Sequence, residues 1–410
     1  MNGLPNPHIT RRTALIGMGG AGIAAFLAAC SAGGGAAPAA QKLSFWMDSV
    51  FAEALEKAVA GFREEFGVTL DIQPTAYGDI IGNYLQGAPG GSGPDMADFN
   101  IDHLGPLSQA SLAAPLDFGD KLSNFDSRAV AGYTVDGQML GMPLVMESTN
   151  VWRNPTLVPD AVTDWGTLAS VAANLQGKVE YPFVMDGGGY TLAGMLTAFG
   201  GYVFKQNADG SYDVNDVGLD NPGSIAAFQF LADGVAAGWI KFGLEMENVG
   251  DAWAENQVGL HFSGPWMYAA YSEGGAEFVI DAVPNGPGGT AVPWLSARGL
   301  VVNPVSKNAA LASTFLTEYL AANDPMAILA EGTAKQSAWV PVQESAANDA
   351  TTAFSAAAVN AQPIPQNAEL AGYWTPSEDA VNLILQGQST PSEVAGNLAA
   401  QLRDAVAAAQ

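Results

Sequence analysis

Two acids have settings that would let them do chemistry. Glu147 ends the run Met142-Pro-Leu-Val-Met146, and Asp102 follows residues 95–100, which read as a short strand. Pro143 bars a regular helix, so Glu147 sits where a buried strand leaves one half of the chain. A carboxylate placed there can face a ligand held between two lobes, although a lone strand-end glutamate can equally face solvent. A pair of such acids invites a glycosidase reading, one protonating the leaving oxygen while the other attacks or activates water. The same pair can instead simply accept hydrogen bonds from hydroxyls. Other chemistries lack their usual residues. The three histidines are His8, His103 and His261, no two spaced as zinc ligands on one helix, and neither a Gly-x-Ser-x-Gly motif nor a phosphate-loop lysine occurs. No cofactor and no metal are called for.

Aromatic residues cluster at the predicted ends of elements: Trp46, Phe99, Tyr190, Trp266, Tyr268, Tyr373 and Trp374. A pyranose has one apolar C–H face and a rim of hydroxyls, so flat rings paired with hydrogen-bond acceptors suit it. Each ring taken alone is more at home in a core. Trp266, between Gly264-Pro265 and Met267, and Trp374, at the head of Thr375-Pro-Ser-Glu378, are placed for ligand contact.

The elements that must position these groups follow an α/β pattern. Residues 42–46 read as a strand, 52–66 as a helix with Leu55, Val59, Phe62 and Phe66 on one face, and Val68, Leu70 and Ile72 as the next strand. That unit predicts a mostly parallel sheet covered by helices. Asn221-Pro222 starts a helix, residues 258–262 form a strand running into Gly264-Pro265-Trp266, and 294–302 form a return strand. Residues 309–320 read as helical and Asp324-Pro325 opens another helix. Thr375-Pro-Ser-Glu378 and Thr390-Pro-Ser-Glu393 are capping boxes, which places two helices at the C-terminus.

With 410 residues the chain outgrows one ordinary core and suits two lobes. Its start reads as a processing signal. Thr10-Arg11-Arg12-Thr13, an uncharged run over 14–29 and Leu27-Ala28-Ala29-Cys30 form a twin-arginine type leader with a lipobox. Residues 1–29 would be removed and Cys30, the single cysteine, would carry a lipid. Residues 30–41 then serve as a flexible Gly/Ala/Pro tether. The net charge of −26 becomes more negative still once Arg11 and Arg12 are lost. That balance argues against binding nucleic acid or anionic lipid.

The order of motifs resembles the maltose and maltodextrin-binding proteins of ABC importers. It is carried by Phe45-Trp46, Gly93-Pro94-Asp95, Ser108-Gln109 with Leu112, Pro143 before Glu147, Gly200-Gly201-Tyr202-Val-Phe-Lys205, Tyr212-Asp213 through Gly218, Asp220-Asn221, Gly264-Pro265-Trp266 and Tyr373-Trp374. The resemblance implies a two-lobe, periplasmic-binding-protein-like fold of type II with three crossings and the ligand in the interlobe cleft. It places 42–147 and 296–320 in the N-terminal lobe, and 148–295 and 321–410 in the C-terminal lobe. The implied function is non-enzymatic: capture of malto-oligosaccharides by a monomeric, membrane-anchored lipoprotein outside the cytoplasm, then delivery to a permease. Trehalose or another oligosaccharide is the alternative ligand, and glycoside hydrolysis by Asp102 and Glu147 the alternative activity.

Carried over by position, Glu147 and Asp102 are acidic hydrogen-bonders, while Tyr190, Trp266 and Trp374 are stacking plates; Tyr268, from the aromatic cluster, is expected at the ligand as well. Asp48 and Ser49 fall in the first ligand loop, Asp79 at an acidic pair, and Ile364 where the family has a methionine. The chain departs from the family at Phe99-Asn100-Ile101-Asp102-His103, which lacks an arginine and an indole, and at Gly188-Gly189-Tyr190, which lacks an acid. Phe99, Asn100 and His103 are expected at the ligand, with Asp186 the acid within reach of the gap at Gly188.

Overall fold

The computed structural model describes residues 41–241, 246–275, 277–345 and 349–409; the leader, Cys30 and the tether up to residue 40 lie outside the described residues. The first strand, Lys42–Met47, turns Leu43, Phe45 and Met47 inward. It pairs in parallel with Thr69–Pro74 on one side and Met96–Asn100 on the other. The helix expected over 52–66 is two, Ser49–Ala58 and Ala60–Phe66, parted at Val59. Phe51, Leu55 and Phe62 still share one buried face, with Phe62 edge-on to Phe315 at 4.9 Å. Gly67 ends the second piece at φ 64°, a conformation glycine adopts without strain.

This sheet has seven strands among the described residues, and beyond the parallel trio its pairings are antiparallel except for the short parallel contact of Gln362–Pro363. The reason lies in the crossings. Met142–Ser148 belongs to this sheet, whereas Asn150–Arg153 belongs to a second, four-stranded one, so the chain changes lobe at Thr149. It returns along Trp294–Val302, nine buried residues paired antiparallel to both Met142–Ser148 and Met96–Asn100. A third passage is pinned where Gln362–Pro363 pairs with Trp294 and Leu295. The second sheet runs Val279–Asp281, Asn150–Arg153, Val258–Ser263, Tyr181–Met185. Helices Gly189–Phe199, Pro222–Ala237, Trp374–Leu385 and Pro391–Ala409 pack together in that lobe.

The structure extends the N-terminal lobe past residue 320. Helix Asn323–Thr333 packs on Ser49–Ala58, and Gln336–Ser337 adds an edge strand to Met142–Ser148. Leu329, Ala330 and Met326 need that apolar surface to bury against. The segment expected as helix over 309–320 changes from α to π at Phe315. Of the two capping boxes one forms. Glu393 accepts from Thr390 N at 3.1 Å and donates its own N–H to Thr390 Oγ1 at 3.4 Å. Thr375 is already inside helix Trp374–Leu385, so it caps nothing.

Candidate functional site

Where the crossings meet, a cavity of about 350 Å³ is lined by Tyr77, Asn100, Asp102, His103, Glu147, Tyr190, Trp266, Ser296, Ile364 and Trp374. Sheet register sets its floor. Ser296 lies opposite Glu147 on adjacent strands, so both side chains stand on one face. The register of Gln336 against Met146, carried one step further, brings Lys335 beside Glu147, and their side chains form a largely buried ion pair. A partner of the opposite charge is what lets a carboxylate remain at so enclosed a position.

A second ion pair lies on the same face of the sheet, beside the cavity floor. Arg298, two residues along the same strand from Ser296, bonds the fully buried Asp98. Its guanidinium is clamped between Phe51 and Tyr77, 4.1 and 4.2 Å from their ring centroids. The outer face of Tyr77 stacks on His103 at 5.8 Å, and Phe99 meets His103 edge-on at the same distance. His103 Nε2 is 3.9 Å from Asp102. Buried atoms without a hydrogen-bond partner among the described residues include Asn100 Oδ1, His103 Nδ1 and Ser296 Oγ, all from cavity-lining residues. Polar atoms left this way cost free energy until something pairs with them.

The opposite wall is aromatic. Tyr190 lies 6.0 Å from Trp266 and 6.5 Å from Trp294, and Trp294 in turn lies 6.0 Å from Trp374. The Tyr190 hydroxyl accepts from Ser296 N and lies 3.0 Å from the carbonyls of Glu147 and Trp294, so it fastens a C-lobe helix to both crossing strands. Burial, and next the negative charge of Glu147, push this phenol well above its ordinary value, so it stays a neutral donor. At the adjoining Gly189 a Cβ would lie 2.2 Å from Ser377 Oγ and 2.8 Å from Tyr373. Glycine there lets helix Trp374–Leu385 approach.

The structure thus brings together Asn100, Asp102, His103, Glu147, Tyr190, Trp266, Ile364 and Trp374 from the sequence reading. Others lie elsewhere. Phe99 is fully buried behind His103 and edge-on to Tyr84. Asp48 caps helix Ser49–Ala58 by accepting from Val50 N, and Ser49 and Asp79 are exposed outside the cavity lining. Tyr268 packs on Phe278 and Phe354 in a separate core of the C-lobe. Asp186 does not line the cavity either; it lies behind Trp266 and accepts from its indole N–H at 3.0 Å. Sequence reasoning missed Tyr77, Ser296 and Lys335. Ser296 and Arg298 did carry a signal, as polar residues at period two within an otherwise apolar strand.

This architecture has known counterparts. The chain superposes on a Thermus thermophilus maltotriose binding protein solved with maltotriose, with a TM-score of 0.79 over 89% of this chain and 100% of that one, at 21% identity. It is 27% identical to the maltodextrin-binding protein MdxE of Bacillus subtilis (strain 168), covering 87% of this chain and 88% of that protein. It is 26% identical to the galactooligosaccharide-binding protein of the same organism, over 85% of each. Residues 57–363 match the family of bacterial extracellular solute-binding proteins, and the chain belongs to that family.

Proposed function

We propose that the protein captures a neutral malto-oligosaccharide between its lobes and delivers it to an ABC permease, without catalysis. The observation that carries this is the pairing across one cavity of the rings of Tyr190, Trp266 and Trp374 with the polar floor of Asn100, Asp102, His103, Glu147 and Ser296. Rings suit the C–H face of a sugar, and the unpartnered floor atoms suit its hydroxyls. Asp102 and Glu147 are hydrogen-bond acceptors in this reading. Cys30 is the lipid attachment point that keeps a monomer at the outer face of the membrane. Closure follows from differential contacts: a sugar touching both lobes favours the closed arrangement, and one touching a single lobe does not.

The test is tryptophan fluorescence of the mature domain without Cys30, titrated with maltose, maltotriose, trehalose, galactobiose and xylobiose. Saturation with maltose or maltotriose alone is the expected result. Saturation with galactobiose alone replaces the ligand with that named for the second Bacillus relative, and silence with every sugar refutes the reading. Incubation with maltotetraose should yield no shorter sugar; products would restore the hydrolase reading.

A further inference from the structure

Asp186 has a role that the cavity lining does not show. It directly follows strand Tyr181–Met185, where the parallel register of His261 with Val184 and Phe262 with Met185 brings it level with Ser263. Its N–H donates to Phe262 O at 3.1 Å. Three donors converge on its carboxylate: His261 Nε2 at 2.7 Å, Ser263 Oγ at 2.5 Å and Trp266 Nε1 at 3.0 Å. His261, fully buried, has its other ring nitrogen 2.5 Å from the Tyr271 hydroxyl. Tyr271 is itself stacked on Trp253 at 4.4 Å and edge-on to Trp152 at 4.9 Å. Nε2–H donates to the ionised Asp186 carboxylate, and Nδ1 is hydrogen-bonded to the Tyr271 hydroxyl, which can donate to or accept from it. The chain therefore runs from the packed core of the C-lobe to the indole at the cavity wall.

The other side of that indole is fixed by backbone. Gly264 lies so close under it that a Cβ there would be 2.1 and 2.3 Å from two atoms of the ring. The Gly264 carbonyl is in turn held by Trp152 Nε1 at 3.2 Å. Trp266 thus has its N–H edge tied to Asp186 and its six-membered ring resting on Gly264, which removes rotation about both side-chain torsions. A plate held in one orientation before the ligand arrives loses less freedom on binding.

We propose that Asp186, with His261 and Ser263 behind it, is a positioning residue that presets Trp266 for a sugar ring. The binding part rests on the function proposed above. Near-UV circular dichroism of the unliganded mature protein isolates the Trp266 band as wild type minus Trp266→Phe, and Asp186→Asn should collapse that band. Asp186→Asn should also weaken maltotriose binding by about tenfold or more, as the loss of a hydrogen bond to a charged group would. In a Trp266→Phe background the same substitution should change affinity by less than about twofold. An equal loss in both backgrounds, or an unchanged Trp266 band, overturns the proposal. If Asp186→Asn does not fold, Ser263→Ala runs the same cycle with a smaller expected loss, and an undiminished effect without Trp266 overturns it equally. A wild type silent to maltotriose, with the band still collapsing in Asp186→Asn, refutes the sugar reading and sustains the positioning role.

Discussion

The two walls of the cavity solve the problem of a rigid polar site differently. The N-lobe floor stands on charge: Glu147 is tied to Lys335, and beside it on the same sheet face Arg298 is bound to Asp98 and clamped between Phe51 and Tyr77. The C-lobe wall stands on rings, with one carboxylate behind them serving three hydrogen-bond donors. The floor holds directional atoms in place through strand register, since Ser296 and Glu147 are cross-strand neighbours. The wall holds flat surfaces in place by pinning an edge. One side is suited to fixing which hydroxyls point where, and the other to covering an apolar face.

The comparison is broken most directly at the buried charges. Arg298→Met would leave Asp98 without its partner in a fully buried site, at a cost of about 3–5 kcal/mol of folding stability by chemical denaturation. A loss below about 1 kcal/mol would mean that the floor stands on packing alone. On the wall, Trp266→Ala should leave stability nearly intact and weaken sugar binding by on the order of 2–4 kcal/mol. Unchanged affinity in a calorimetric titration would remove Trp266 from the site. The two substitutions should therefore separate, one reading in stability and the other in affinity.

The walls meet at Tyr190, whose hydroxyl belongs to a C-lobe helix yet accepts from Ser296 N in the return strand. Tyr190→Phe leaves that N–H, and one carbonyl, unpaired at the crossing. The expected loss is about 1–3 kcal/mol of stability, smaller than at Arg298 because no charge is stranded. A neutral result would mean that the crossing strands hold the lobes together without it.

What was legible in the sequence tracks how local each signal is. Gly264-Pro265-Trp266 and the strand into Glu147 announce themselves within a few residues, and so does the Thr390 cap. The Lys335–Glu147 pair spans 188 positions, and only the register of Gln336 on Met146 reveals it. Asp79 drew attention on the strength of the resemblance, yet Tyr77, two residues earlier in the same helix, is the one that reaches the cavity. Asp48 was placed by position in the family alone, and Phe99 and Tyr268 chiefly as rings at predicted element ends. A strand residue faces one side or the other by a single step, and a loop of changed length moves its side chains away, so position without register misassigns them. The Thr375 motif fails for a related reason, as the helix begins one residue before it.

The smallest expected effect distinguishes the wall's carboxylate from an ordinary surface acid. Burial raises the Asp186 carboxyl, but the charge of His261 and hydrogen bonds from His261, Ser263 and Trp266 outweigh it and hold the group below its ordinary value of 3.8. A depressed carboxyl contributes stability that is fully present above the unfolded-state value and is lost as pH falls through the folded-state one. The stability difference between wild type and Asp186→Asn should accordingly stay level from neutral pH down to the ordinary carboxylate range, then narrow as the solution is made more acidic. Denaturation curves at successive pH values read it directly. A difference that stays level through the acid limb would show that Asp186 is not held as an anion by its three donors, and the wall would then stand on shape alone.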